Sequence, residues 1–165
     1  WLRMLTKKYK GSAQIAKTAP ASFDVFLCHN SSDKPIVKQI GEQLIKHGIQ
    51  PWLDEWNLIP GRPWQRALEE QINNIKSVAV FVGDSGLGPW TSMELEAFLR
   101  EFVKRGCPVI PVILPNVKKT PELPVFLNAM HWVDFRLNDP DPLDQLIWGI
   151  TGEAIPKAAK KSRRK

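Results

Sequence analysis

Ser77-Val78-Ala79-Val80-Phe81-Val82 is a short, almost unbroken apolar run, and Phe23-Asp24-Val25-Phe26-Leu27-Cys28 is a second of the same kind. Runs this short and this rich in β-branched and aromatic residues suit strands buried on both faces, as in a parallel sheet. Each is followed by a turn and then by an amphipathic stretch. After the first, Ser31-Ser32-Asp33 offers N-cap chemistry and Pro35 fits a first helical turn. Ile36, Val37, Ile40, Leu44 and Ile45 recur at helical spacing, and Gly48 supplies a stop. After the other, Gly83 to Pro89 is a glycine-rich turn. Met93, Leu95, Phe98, Leu99, Phe102 and Val103 then mark a helix ending at Gly106.

The same alternation extends both ways. Ile49 to Asp54 reads as a second strand whose Pro51 argues for a sheet edge. A loop from Glu55 to Arg62 follows, holding Pro60-Gly61, and Pro63 opens a helix with Trp64, Ala67, Leu68, Ile72 and Ile75 on its apolar face. Val109 to Leu114 is a fourth strand, interrupted by Pro111. Asn116 to Asn128 is irregular with at most a short helix, and His131 to Phe135 is a short fifth strand. Asp139 to Ile150 closes the series as a helix, with Leu143, Leu146, Ile147 and Ile150 on one side. Five strand–helix cycles predict an α/β fold: a five-stranded parallel sheet with helices on both faces, in the flavodoxin-like order 2-1-3-4-5. That order puts Pro51 at an edge. It also puts any ligand cleft beyond the carboxyl ends of strands 1 and 3, at Cys28 to Ser31 and at Gly83 to Glu94.

The charge is unevenly distributed. The net charge is +6, yet residues 1–20 carry five cations and residues 154–165 carry six, with no acid in either segment. The intervening residues are net acidic, at −5. Clustered cations on the folded part, which nucleic-acid binding would want, are absent from the sequence. We read three segments: 1–20 as a basic linker or the end of a preceding domain, 21–153 as the folded domain, and 154–165 as a basic tail. Cys28 and Cys107 abut apolar runs without metal-ligand spacing and read as buried thiols in a reducing compartment. No apolar stretch reaches the length of a membrane span and no signal-peptide pattern appears, so a cytoplasmic location is expected.

The usual chemical signatures are missing: no glycine-rich dinucleotide fingerprint, no P-loop, no nucleophile elbow, and three histidines without metal spacing. A phospho-receiver would want an acidic cluster after strand 1, where His29-Asn30-Ser31 stands instead. Glu94 has a plain structural reading, since Thr91-Ser92-Met93-Glu94 matches a capping box and a carboxylate in a first turn gains from the helix dipole. Trp52 and Trp132 read as core or edge packing, and Trp56, in the loop, as an exposed partner contact.

Phe23-Asp24-Val25-Phe26-Leu27-Cys28-His29-Asn30-Ser31-Ser32-Asp33 resembles the first box of TIR (Toll/interleukin receptor homology) domains, especially their bacterial form. Trp52-Leu53-Asp54-Glu55 through Leu58-Ile59-Pro60-Gly61 is similar to their BB-loop segment. Trp90-Thr91-Ser92-Met93-Glu94-Leu95 is similar to the W-x-x-x-E-L segment of the enzymatic branch, and His131 to Phe135 to the weak third box. The resemblance spans residues 21–150 in the family's order. It implies an NAD+ glycohydrolase, releasing nicotinamide and ADP-ribose or a cyclic isomer, with NAD+ as substrate and no resident cofactor or metal. In that reading Glu94 is catalytic. Trp90 walls the nicotinamide-ribose pocket, and Phe26, Asn30, Ser31 and Asp54 line the substrate. Asp54 has a second reading, as a cap on the loop after strand 2. Some members carry arginines after strand 1; with Asn30 and Ser31 there, phosphate handling would fall to backbone N–H groups and other residues.

The resemblance also implies association with other TIR domains, as homo-oligomer or filament, through Leu58, Ile59, Pro60 and Gly61. Activation by self-association in an immune or cell-death signalling protein is the corresponding expectation. Two alternatives stay open: a non-catalytic adaptor working through that same loop, and a domain that binds a nucleotide product without cleaving it.

Overall fold

The computed structural model describes residues 22–57, 60–61, 64–87 and 92–155. The basic segments noted above fall wholly or mostly outside them. Five strands form one parallel sheet: β1 (Val25–Cys28), β2 (Pro51–Trp52), β3 (Val78–Val82), β4 (Val109–Ile113) and β5 (Val133–Asp134), in the order β2-β1-β3-β4-β5. The helices are α1 (Lys34–Lys46), α2 (Asp54–Asn57), α3 (Trp64–Gln71), α4 (Ser92–Lys104), α5 (Val125–Asn128) and α6 (Pro142–Thr151). Short 3-10 turns precede α1 (Ser31–Asp33) and follow α3 (Ile72–Asn74). The expected class and strand order are those observed.

The sheet centre follows from composition. All five residues of β3 are buried, as are all four of β1 and all five of β4, because each strand is covered on both faces. The register shows which side chains share a face. Leu27 pairs with Ala79, and Ala79 with Ile110. Leu27 approaches Gly41 on α1 and Ile110 approaches Gly149 on α6, so α1 and α6 cover one face. Phe26, next to Leu27 and therefore pointing the other way, stacks edge-on against Phe98 of α4 with ring centroids 5.6 Å apart. Right-handed crossovers account for this split. The chain runs from β1 to β2 in one direction and from β3 through β5 in the other, so the connecting helices fall on opposite faces.

Several expectations change in detail. β2 shrinks to two residues, paired only with β1, and the segment read as its end begins α2. Pro111 does not interrupt β4. Leu114 N–H donates to Val82 O, so by alternation the nitrogen of Pro111 faces away from β3. β5 begins only opposite Val112, so no ladder bond is lost there. Ile45 and Val103, placed on apolar helix faces by periodicity, are each 48% exposed; they sit at the margins of stripes whose centres are Val37, Ile40 and Leu44, and Leu95, Leu99 and Phe102. Trp132 stands just outside β5 and is 41% exposed, whereas Trp52 is buried as expected. Trp56 is not an exposed loop residue: it packs half-buried against the core, beside Gly41 of α1. Cys28 is buried, and its thiol is pushed up to about 12 by that burial. Cys107 is only half-buried, and both thiols are free. Among the described residues no helix is long and apolar enough to cross a membrane.

Candidate functional site

The carboxyl ends of β1 and β3 open into two loops. Along the first, His29 follows β1 with its ring nearly enclosed, its Nδ1–H donating to Leu27 O at 2.9 Å. That bond directs Nε2 toward Asp54, whose Oδ1 lies 3.8 Å away, too far for a direct hydrogen bond. Lys34, the first residue of α1, holds the other Asp54 oxygen at 3.0 Å. Asp54 therefore faces the strand-1 loop from the start of α2, tied to a cation in a half-exposed ion pair of modest net worth. Asn30 caps the 3-10 turn. Its Oδ1 accepts from Ser32 N–H and from the Ser31 hydroxyl, both at 3.4 Å. Asn30 and Ser31 thus stand in the loop that follows β1, and Phe26 lies in the core, against Trp52 and Phe98.

Asp33 was read only as cap chemistry, and its side chain is not used that way. It is the N-cap of α1 by position but makes no side-chain cap bond. Asp33 is 4% exposed, its Oδ2 is buried without a hydrogen-bond partner among the described residues, and its carboxyl presses against Gly83. Burial pushes this carboxyl above the usual aspartate range; nearby His29 pulls it down and Asp84 pushes it further up. Gly83 closes β3 and begins a tight turn in which Gly86 N–H donates to Gly83 O at 3.1 Å, with Gly86 at a φ of +74° that favours glycine. Asp84 Oδ1 accepts from Lys118 N–H at 3.3 Å, fastening the turn to the segment after β4.

Glu94 falls in the first turn of α4, on the chain leaving that Gly83–Gly86 turn. Trp90 lies outside the described residues, as do Leu58 and Ile59. Pro60 and Gly61 form an exposed turn, with Gly61 at a φ of +84°. The fold thus brings Asn30 and Ser31, Asp54, and the helix bearing Glu94 after the carboxyl ends of β1, β2 and β3 respectively, around the reversal of strand order where open α/β sheets take ligands. The pairing of Asp33 with Gly83, and that of His29 and Lys34 with Asp54, were missed. Each joins residues distant in sequence, and the only local hint is that a glycine immediately follows the clearest strand.

A separate cavity of about 200 Å³ lies between β5 and the start of α6, lined by His131, Trp132, Leu137, Pro140, Pro142 and Gln145 among others. It is small for a dinucleotide, and none of the proposed site residues lines it. Among the described residues no group of three or more histidine, cysteine, aspartate or glutamate side chains is arranged to hold a metal ion.

Sheet order and helix placement define a flavodoxin-like α/β domain in which the loops after β1 and β3 meet at the reversal of strand order. A family model for the TIR domain matches residues 25–147, and the chain belongs to that family. Over 96 residues it is 27% identical to the NAD(+) hydrolase TcpA of a Theionarchaea archaeon, a match covering 57% of this chain and 29% of that protein. Over 100 residues it is 27% identical to the 2′ cyclic ADP-D-ribose synthase AbTIR of Acinetobacter baumannii, covering 59% of this chain and 37% of that protein. These matches span about a third of the length of those relatives.

Among solved structures, the TIR domain of the Toll-related receptor TRR-2 from Hydra magnipapillata aligns with a TM-score of 0.56 at 19% identity, over 78% of this chain and 98% of that one. A metazoan TIR-STING receptor from C. gigas, solved with 2′,3′-cGAMP, aligns with a TM-score of 0.62 at 19% identity, over 83% and 41% of the two chains. These two likenesses concern the fold.

Proposed function

We propose that this TIR domain cleaves NAD+ at the bond between nicotinamide and ribose, with Glu94 as the catalytic carboxylate. The observation that carries the reading is the W-x-x-x-E-L segment, Trp90 to Leu95, in a chain similar to two enzymes named for NAD+ and ADP-ribose chemistry. The chemistry suits one carboxylate. The C1′–N bond breaks with its electron pair passing to the pyridinium nitrogen, so nicotinamide leaves neutral and needs no general acid. The remaining burden is a ribosyl oxocarbenium, which a nearby carboxylate stabilises electrostatically or traps, as in retaining glycosidases. Water then adds at C1′ and loses a proton to give ADP-ribose; attack by a hydroxyl of the same molecule gives a cyclic isomer. Trp90 offers a face for the cationic ring, while Asn30, Ser31 and Asp54 border the rest of the substrate.

Self-association through the Leu58–Gly61 loop is the proposed switch, in a cytoplasmic signalling protein. That loop leaves α2, whose first residue is Asp54, so ordering it would act on one border of the proposed cleft. The test is nicotinamide release from NAD+ at high protein concentration, wild type beside Glu94→Ala. Release by wild type and none by the folded variant is expected. A wild type that releases none, even when crowded on beads, overturns the enzymatic reading and leaves a docking module.

A further inference from the structure

Asp33 is out of place for a helix cap. A capping aspartate ordinarily turns its carboxylate onto the first N–H groups of its own helix, where dipole and hydrogen bonds favour the charge. Here Pro35 removes one of those donors, and the carboxyl points across the sheet end instead, into the space left by the missing side chain of Gly83. Both carboxyl oxygens and Cγ lie too close to leave room for a Cβ on residue 83, while Gly83 itself has a φ outside the left-handed range that favours glycine. Glycine is required there by the carboxyl, not by the turn. A buried oxygen without a partner costs stability, so packing alone gives no reason for an acid at this point. The contact joins the loop after β1, with Asn30 and Ser31, to the origin of the segment that leads to Glu94.

We propose that Asp33 is a positioning residue: seated against Gly83, it fixes the Gly83–Gly86 turn, from which the chain leads to Glu94, relative to the β1–α1 loop. This rests on the NAD+-cleaving reading for its consequence in turnover, but not for the coupling itself. Burial raises this carboxyl above its ordinary range, with His29 opposing the shift and Asp84 adding to it. Asp33→Asn preserves the carboxyl's shape without the charge, and Asp33→Ala empties the space.

The experiment compares wild type, Asp33→Asn, Asp33→Ala, Gly83→Ala and the Asp33→Ala/Gly83→Ala pair, measuring kcat and KM for nicotinamide release. Thermal midpoints and amide exchange over residues 84–95 are measured on the same proteins. Expected is a fall in kcat of roughly 10- to 100-fold in Asp33→Ala and in Gly83→Ala, of the size a displaced reacting group produces, with KM changed far less. Asp33→Asn stays close to wild type. The Gly83→Ala loss is largely recovered in the pair, because the new methyl then occupies the vacated space. Equal kcat per folded molecule in Asp33→Ala and wild type, or a Gly83→Ala defect undiminished in the pair, overturns the proposal. If wild type releases no nicotinamide, the enzymatic reading fails and exchange decides this one: faster exchange at 84–95 in Asp33→Ala but not in Asp33→Asn upholds the coupling, and unchanged exchange sinks it.

Discussion

Gly41→Ala sets two calculable effects against each other. Gly41 lies inside α1, where alanine is favoured over glycine by about 1 kcal/mol. A methyl there meets Trp56 Cη2 at 3.0 Å and Cζ3 at 3.3 Å, and Leu27 Cδ1 at 3.1 Å. All three approaches are closer than relaxed carbon–carbon contact. Leu27 is fully enclosed by the core, so the half-buried Trp56 must yield. Overpacking of this order costs about 1–3 kcal/mol, leaving Gly41→Ala a net loss of roughly 1 kcal/mol after the helical gain. For a chain of this length that is a fall in Tm of about 2–4 °C. The assay is urea denaturation of Gly41→Ala, Trp56→Phe and the pair. Phenylalanine lacks the second ring of the indole, so the two nearest Trp56 atoms disappear, and the alanine should become neutral or stabilising in that background. The coupling between the two sites should exceed about 0.5 kcal/mol. An alanine that costs the same in both backgrounds would refute the packing of Trp56 onto α1. Because Trp56 belongs to α2, the test also reports whether the Leu58–Gly61 loop is anchored on α1 at its start.

Glu94→Ala should abolish nicotinamide release while unfolding at a midpoint within a few degrees of wild type; a mutant that is inactive only because it unfolds would remove the residue from the mechanism. Gly61→Pro should damage assembly and activity together, since proline holds φ near −65° whereas Gly61 sits at +84°; wild-type turnover and wild-type particle size in light scattering would break that link. Arg136 donates from Nε and Nη2 to the two carboxylate oxygens of Asp134, at 2.9 and 2.7 Å, and these bonds hold Asp134 below the usual carboxylate range. With a folded pKa below the unfolded one, the resulting stability is present above the ordinary aspartate range and is lost as pH falls through the lowered value. Arg136→Met should therefore cost about 1–3 kcal/mol near neutrality and flatten the acid limb of a stability–pH curve; a curve of unchanged slope below pH 5 would contradict the assignment.

Local pattern carried the architecture. Val25–Cys28, Val78–Val82 and Val109–Ile113 are apolar throughout because both faces of a central parallel strand are covered, and that property is written in consecutive residues. Pro51 marked an edge because a missing N–H is tolerated where one neighbour is absent. The alternation of strands with helices then left few sheet orders, and the handedness of crossovers selected among them. The ends of β1 and β3, and hence the segment around Glu94, followed from that order without coordinates.

Other features waited for the folded chain. Periodicity places Ile45 and Val103 on an apolar stripe but does not give its width, which depends on how far the sheet extends beneath the helix. Trp56 reads as exposed in a loop, and only the nearby Gly41 gives its ring a place to lie. Asp33 reads as an ordinary cap, and its burial depends on a glycine far along the chain that leaves a side-chain-sized space at the end of β3. A strand or helix repeats a local geometry, so its signal accumulates over neighbouring residues. A contact between two loops occurs once, has no period, and exists only after the sheet has brought the ends of β1 and β3 side by side.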